Sequence, residues 1–379
     1  MLIAIPAEND PAEGRVAATP ETAKKLAALG AEVKVQTGAG LKSGILDEEF
    51  VAAGAKIEPD AAATVRDADI ILRVRRPSAA ETAGAKPGAV VIAVMDPYGH
   101  VDALKALAAA GVSAFAMELM PRITRAQTMD VLSSQANLAG YLAVIDAAAH
   151  YGRVIPMMMT AAGMIQPAKI FVMGVGVAGL QAIATARKLA AIVTATDVRP
   201  ATKEQVVSLG AKFVAVEDEE FKQAETAAGY AKEMSPEYRA KQAELTASHI
   251  ASQDIVITTA LIPGRAAPVL LTTAMVDSMR PGSVIVDLAV ERGGNCELSK
   301  PGELVVTKNG VKIVGNLNVA GRLSATASAL YAKNLLAFIE TMIDPKTKTL
   351  AIKWDDELVK ATLLTKDGAL VHPNFQAAT

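Results

Sequence analysis

Lys169-Ile-Phe-Val-Met173, Gly174-Val-Gly176-Val-Ala-Gly179 and Leu180-Gln-Ala-Ile-Ala-Thr-Ala-Arg-Lys-Leu189 follow one another without a break. The first run is short and apolar, as a buried strand requires, and the last carries helical spacing. Gly174 suits the tight turn between them, Gly176 lets backbone approach a pyrophosphate, and Gly179 admits close helix–strand packing. The amides freed at the helix start face negative charge. A following strand, 192–196, ends at Asp197, 23 positions beyond Gly174. That is near the spacing of an acid that accepts from ribose hydroxyls and repels a 2′-phosphate. Strand, turn, helix, strand and acid together predict a dinucleotide site that favours NAD(H) over NADP(H). Arg199, two residues later, would soften that preference. The plain alternative is a glycine-rich turn with a solvent-facing Asp.

Outward from this motif the chain alternates short apolar runs with Ala-rich helical segments. Before it, residues 2–7, 33–37, 69–74, 89–95 and 113–117 read as strands; from it onward, 169–173, 192–196, 212–216, 254–259, 283–289 and 311–314 do. Near-continuous apolar character is what a parallel sheet covered on both faces demands. The fold class expected is α/β, two doubly wound parallel-sheet (Rossmann-like) domains joined by long helices. Residues 20–29 form a helix with Thr19 as N-cap and Gly30 as its stop. Residues 125–151 read as one long helix between the domains, and 324–342 as another that returns the chain to the first. The tail, 351–371, reads as a short hairpin. The domains expected are 1–131 with 321–379, and 132–320. Gly38-Ala-Gly40 follows a strand but precedes no helix, and reads as a loop.

At 379 residues the chain is long enough for two cores. Aromatics are only 4%, so Ala, Val, Ile, Leu and Met must fill them. Lys and Arg number 38 against 40 acids, with no basic run, which gives nucleic-acid binding no support. Cys296, the single cysteine, rules out an internal disulfide and fits a reducing compartment. The N-terminus lacks a positive n-region and reads as a first strand rather than a signal. The uncharged stretch 170–186 falls short of the ~20 residues of a membrane span and holds the three glycines. A soluble chain is expected.

Met117-Glu-Leu-Met-Pro-Arg122-Ile-Thr-Arg125-Ala-Gln127-Thr-Met-Asp130-Val-Leu-Ser133-Ser-Gln135 is the second unusual stretch. At helical spacing Gln127, Asp130 and Ser133 fall near one face, suited to a ligand cleft between domains. Equally, the stretch reads as a solvated helix start capped by Thr124, with Arg122 pairing an exposed acid.

This stretch resembles the NAD(H)-binding component, domain I, of the proton-translocating transhydrogenase family, a relative of alanine dehydrogenase. So do Pro156-Met-Met-Met-Thr-Ala-Ala-Gly163, Gly174 to Ala186, Ala195-Thr-Asp-Val-Arg199, Glu225-Thr-Ala-Ala-Gly-Tyr-Ala-Lys-Glu-Met234, Ile257-Thr-Thr-Ala-Leu-Ile-Pro-Gly264 and Val286-Asp-Leu-Ala-Val-Glu291. The resemblance covers nearly the whole chain; Ala93-Val-Met95-Asp96-Pro97 departs from it. It implies a soluble homodimer that delivers hydride from NADH to NADP+ held by a partner component, while a membrane component couples the transfer to proton movement. A cytoplasmic protein, peripheral to the membrane through its partners, follows. The chain ends at Thr379 without spanning helices, which fits the variant in which this component is a separate polypeptide.

Carried over by position, the resemblance puts Arg122, Gln127, Asp130 and Ser133 around the nicotinamide and its ribose as the catalytic group. It adds Ile123, Thr124 and Arg125 beside them. Gly174, Gly176, Val177 and Gly179 would hold the pyrophosphate, and Asp197 the adenosine ribose, with Val198 and Arg199 next to it. Thr259, Ala260 and Leu261 would complete the pocket, and Gly229 and Tyr230 would belong to a mobile loop closing over it. No metal is implied.

Hydride transfer between two nicotinamides needs positioning and exclusion of water, not a general acid or base. His100, His150, His249 and His372 lie outside every motif, so surface positions are expected for them. Alanine dehydrogenase, which shares the Arg15-Val-Ala-Ala-Thr-Pro20 run, must move a proton. Arg73-Val-Arg75-Arg-Pro77 and Val90-Val-Ile-Ala-Val94-Met95 offer no group titrating near neutrality where that enzyme needs one. Arg15 and Arg75 are then expected in interdomain or dimer salt bridges. A non-catalytic NAD(H)-sensing module is the third reading.

Overall fold

The computed structural model describes residues 1–222 and 234–376. Two compact units result, residues 1–135 with 320–379, and residues 136–319. The first opens with β1 (Leu2–Ile5), α1 (Pro20–Ala28), β2 (Glu32–Gln36), α2 (Asp47–Ala52), β3 (Lys56–Glu58), α3 (Ala61–Val65), β4 (Ile70–Arg75), β5 (Val90–Val94), α4 (Val101–Ala109) and β6 (Ser113–Ala116). Its six strands are all parallel, in the order β3-β2-β1-β4-β5-β6. Alternate residues go to opposite faces: Ile3, Ile70, Leu72 and Ile92 join one core cluster, Ala4, Ile71 and Val91 another. Two covered faces explain why the strands read as unbroken apolar runs. Thr19 caps α1 in a reciprocal pair with Thr22, and Gly30 ends the turn at φ +89°.

The expected helix from residue 125 is not continuous. Residues Thr124–Met129 form a 3-10 turn and Asp130 is extended (ψ 90°) before α5 (Val131–His150) begins. Asp130 is the cause. Its Oδ1 accepts from Ser133 N at 2.9 Å and its Oδ2 from the Ser133 hydroxyl at 2.6 Å, so it caps α5 and ends the preceding turn. Ile123, not Thr124, stands at the N-cap of the 3-10 turn, without a side-chain bond.

The second unit holds β7 (Met158–Thr160), β8 (Gly163–Ile165), β9 (Lys169–Met173), α6 (Val177–Lys188), β10 (Ile192–Thr196), α7 (Thr202–Ser208), β11 (Lys212–Phe213), α8 (Glu219–Lys222), α9 (Pro236–Ile250), β12 (Ile255–Thr258), α10 (Thr273–Ser278), β13 (Val284–Asp287), β14 (Leu304–Val306) and β15 (Lys312–Val314). Its sheet runs β11-β10-β9-β12-β13-β15-β14, parallel except for β14. Ile170, Val172, Ile255 and Ile257 face one core, Phe171, Met173 and Val256 the other. The β7–β8 hairpin, edge strand β14 and the Ser235-capped α9 go beyond what sequence patterning showed.

The chain then returns to the first unit with α11 (Ser324–Glu340), α12 (Glu357–Thr362), β16 (Thr365–Lys366) and β17 (Ala369–Leu370). Tyr331, Leu335, Phe338 and Ile339 of α11 enter that unit's core. The tail is thus a helix followed by a hairpin, where the sequence suggested a hairpin alone. Among the described residues, no helix is long and apolar enough to cross a membrane.

Candidate nucleotide-binding site

In the second unit the strand order reverses at β9, which lies between β10 and β12. Met173 pairs with both Thr196 and Thr258, so these three strands end level. Gly174, Asp197 and Thr259 therefore emerge side by side at the carboxyl edge, the place where open α/β sheets take ligands. Gly174 donates to Thr196 O and Thr259 N to Met173 O, each at 2.9 Å, while the Thr259 hydroxyl reaches Gly174 O at 3.0 Å.

The three glycines answer to different constraints. Gly174 sits at φ +98°, and a Cβ there would fall 2.6 Å from Thr259 Oγ1. At Gly179 a Cβ would lie 1.9 Å from Gly174 O, so helix α6 packs on its own entry turn only because the position is bare. Gly140 of α5 has the same relation to Ala178 O, at 2.0 Å. Gly176 differs: a Cβ there would meet no protein atom within 4 Å. It is exposed, as is Val177, and as N-cap of α6 it offers no side-chain bond. Packing thus accounts for two glycines, and it does not account for the third. An uncapped helix start beside it suits a diphosphate.

Asp197 stands behind the turn with its side chain 7% exposed. Oδ2 accepts from Val175 N at 2.7 Å and from an Arg199 guanidinium nitrogen at 3.0 Å; Oδ1 accepts from Arg199 N and Nε, both at 2.9 Å. The solvent-facing Asp of the plain alternative is therefore excluded. Val198 is exposed beside it, and so is Leu261 beyond β12.

Sequence reasoning missed what fixes the Thr259–Ala260 side. Asn295 Oδ1 accepts from Ala260 N at 3.0 Å, and its Nδ2 donates to Ala260 O and Pro268 O. Asn295 is itself held by Asp287, a carboxylate 1% exposed at the end of β13. Asp287 accepts from Thr258 Oγ1, Ala289 N, Asn295 N, Cys296 N and Ser299 Oγ, at 2.7 to 3.1 Å. The available signal was an acid closing an otherwise apolar strand.

In the first unit Asp130 and Ser133 are brought together as described, while Arg122, before the 3-10 turn, and Gln127, within it, are exposed. The break at Asp130 removes the single helical face that the sequence suggested for Gln127, Asp130 and Ser133. Arg125 is engaged with Asp356, at 2.8 and 2.9 Å, and with Glu357. Ile123 packs partly buried against the unit's core, and Thr124 is exposed. Gly229 and Tyr230 lie outside the described residues.

Arg15 and Arg75 share Glu13 inside the first unit, through Arg15 Nε at 2.7 Å and Arg75 Nε at 2.8 Å. Burial would raise the Glu13 carboxyl, but Arg15's hydrogen bonds and charge, with Arg75 behind them, bring it down to about 2. One expectation needs correction: the histidines are not uniformly on the surface. His372 is 8% exposed; His249 bonds Thr194 Oγ1 at 2.8 Å and meets Phe171 edge to face. Burial lowers both, and Lys212 and Lys169 add to the effect at His249. One acid escaped notice: burial pushes up Glu118, whose oxygens accept the Met95 and Asp96 amides.

The chain belongs to the alanine dehydrogenase/PNT family: the model of its N-terminal domain matches residues 4–139 and that of its C-terminal domain residues 143–373. It shares more identity with two transhydrogenase chains than with an alanine dehydrogenase. It is 57% identical over 378 residues to the first part of NAD(P) transhydrogenase subunit alpha from Rhodospirillum rubrum, covering 98% of each chain. A solved transhydrogenase from Sinorhizobium meliloti matches with a TM-score of 0.89 at 61% identity, over 98% of this chain and all of that one. Alanine dehydrogenase of Halomonas elongata is 31% identical, over 98% of this chain and 95% of its own length.

Proposed function

We propose that this chain is the NAD(H)-binding component of a proton-translocating transhydrogenase. It passes hydride directly to NADP+ held on a separate component, and a membrane component couples that transfer to proton movement. The observation that carries the reading is the bare, uncapped turn at Gly176 with Asp197 behind it, at the strand-order reversal. The identity to transhydrogenase alpha chains supports the rest.

Bound NADH would supply the hydride; the chain's residues bind, orient and exclude water. Amides at the start of α6, with Val177 over them, take the diphosphate. Asp197 takes the adenosine ribose, with Val198, Arg199, Thr259, Ala260 and Leu261 around it. Arg122, Gln127, Asp130 and Ser133 position the nicotinamide and its ribose. Because Ser133 donates its hydroxyl to Asp130, its own oxygen still has lone pairs for a ligand N–H or O–H. Ile123, Thr124 and Arg125 shape the segment that presents them, and Gly229 and Tyr230 complete the site. None of these steps needs a titrating acid or base. The protein acts as a homodimer on the cytoplasmic side of the membrane; the exposed methionines of the β7–β8 hairpin, with Met159 72% accessible, support self-association.

Fluorescence titration with NADH and NADPH is the first test, with tight binding of NADH expected. Mixed with an NADP(H)-binding component, the chain should exchange hydride between NADH and an NADP+ analogue; silence there would leave a sensor. Asp130→Asn and Arg122→Ala should each slow exchange on the order of tenfold or more while barely changing NADH affinity. Equal losses in rate and affinity would make these side chains simple anchors. Alanine with NAD+ should yield no NADH, because residues 73–77 and 90–95 offer no group titrating near neutrality to move the proton.

A further inference from the structure

Asp197 is the acceptor proposed for the ribose hydroxyls, yet four donors already fill its oxygens. A carboxylate offers about four lone-pair positions. Two of the four donors, Val175 N and Arg199 N, are backbone and belong to the turn itself. The other two are the Arg199 side chain, through Nε at 2.9 Å and a terminal nitrogen at 3.0 Å. The Arg199 backbone is pinned separately, since Thr202 donates its hydroxyl to Arg199 O at 2.7 Å at the start of α7. A terminal guanidinium nitrogen also donates to Val175 O at 3.3 Å, so swinging away from Asp197 gives up that bond too, while the backbone bonds keep the turn folded. The side chain is 28% exposed, so it can move into solvent.

We infer that Arg199 is a built-in competitor for the ribose site: it occupies the acceptor positions of Asp197 that the adenosine hydroxyls need, and its charge offsets the carboxylate that would repel a 2′-phosphate. Arg199 then sets two properties at once. It weakens NAD(H) binding, because its hydrogen bonds must be exchanged for those of the ribose. It also blunts selectivity, because a positive charge about 3 Å from the carboxylate cancels most of its field at the distance of a 2′-phosphate. A different role would use the same side chain to grip a 2′-phosphate, and the two roles predict different behaviour toward NADH.

The inference rests on the NAD(H) reading, so the experiment separates the two. NADH and NADPH are titrated by fluorescence into the full chain and into Arg199→Ala, Arg199→Lys and Asp197→Asn, with melting curves alongside. Arg199→Ala should bind NADH about threefold to fivefold tighter, the effect of releasing a partly exposed ion pair. It should bind NADPH about tenfold weaker, as the bare carboxylate meets the extra phosphate. Arg199→Lys keeps the charge without the two-pronged contact. It should gain NADH affinity while keeping the wild-type tolerance of NADPH, which a merely structural role would not produce. Asp197→Asn should abolish the NADH gain of Arg199→Ala in the double variant. Unchanged or weaker NADH binding in both Arg199 variants overturns the inference. A wild-type chain that binds neither nucleotide overturns the NAD(H) reading itself.

Discussion

Each unit has a place where its strand order reverses, at β1 in the first sheet and at β9 in the second. The sheets are built alike, yet the two places are furnished in opposite ways. Beyond β9 stand glycines, with no side chain capping the helix start. At β1 and β4, Glu8, Glu13 and Arg15 follow β1 while Arg73 and Arg75 close β4, joined by Glu81, each guanidinium held to a carboxylate at 2.6 to 3.0 Å. Three acids pair with three bases there. The shared topology supplies two strand-order reversals, and side-chain volume and pairing make them different.

The comparison breaks first at Gly179. Gly179→Ala places a methyl group on the Gly174 carbonyl, so loss of folding or of several kcal/mol of stability is expected. A variant that melts with the wild type would mean the turn yields easily. At the other reversal, Glu13→Gln removes the carboxylate charge that Arg15 and Arg75 share and should cost about 3 kcal/mol in denaturant unfolding at neutral pH. The sign with pH follows from the depressed carboxyl. Its contribution is complete above the unfolded value of 4.5 and disappears as pH falls toward about 2. The stability difference between wild type and Glu13→Gln should therefore shrink across that window; a constant difference would argue against the ion pair as its source.

A smaller effect sharpens the contrast. Gly176→Ala meets no protein atom, so its melting temperature should stay within a few degrees while NADH affinity drops by about tenfold or more. Parallel loss of stability and affinity would remove the ligand argument for that glycine. Smallest is an acid effect at His249, whose neutral form is favoured by burial and by Lys212 and Lys169. Below the ordinary histidine value of 6.5 the unfolded chain takes a proton that the folded one resists, so stability falls as pH falls. His249→Phe should flatten the melting temperature between about pH 6.5 and 5.

Legibility in the sequence followed the range of the interactions. The β9–α6 turn and Asp197 were readable because strand, glycines, helix and acid are consecutive or nearly so. The Thr19 cap and Gly30 stop were readable for the same reason. The helix expected from residue 125 failed because periodicity registers a favourable spacing and is blind to which residue caps; Asp130 chose Ser133, three positions on. Arg15 and Arg75 were visible as charges, but their partner Glu13 is two residues from one and 62 from the other. The long-range bond could not be inferred from spacing.

From its order of residues alone, this protein had two doubly wound parallel sheets and a glycine turn fit for a diphosphate, since alternation, turn chemistry and helix starts are local effects. Only the folded chain decided which charges neutralise one another. Glu13 joins Arg15 to Arg75, Arg199 lies on Asp197, and Asp287 reaches through Asn295 to Ala260. The Glu13–Arg75 and Asn295–Ala260 bonds join positions 62 and 35 residues apart that the sheets bring together, where burial makes polar groups find partners.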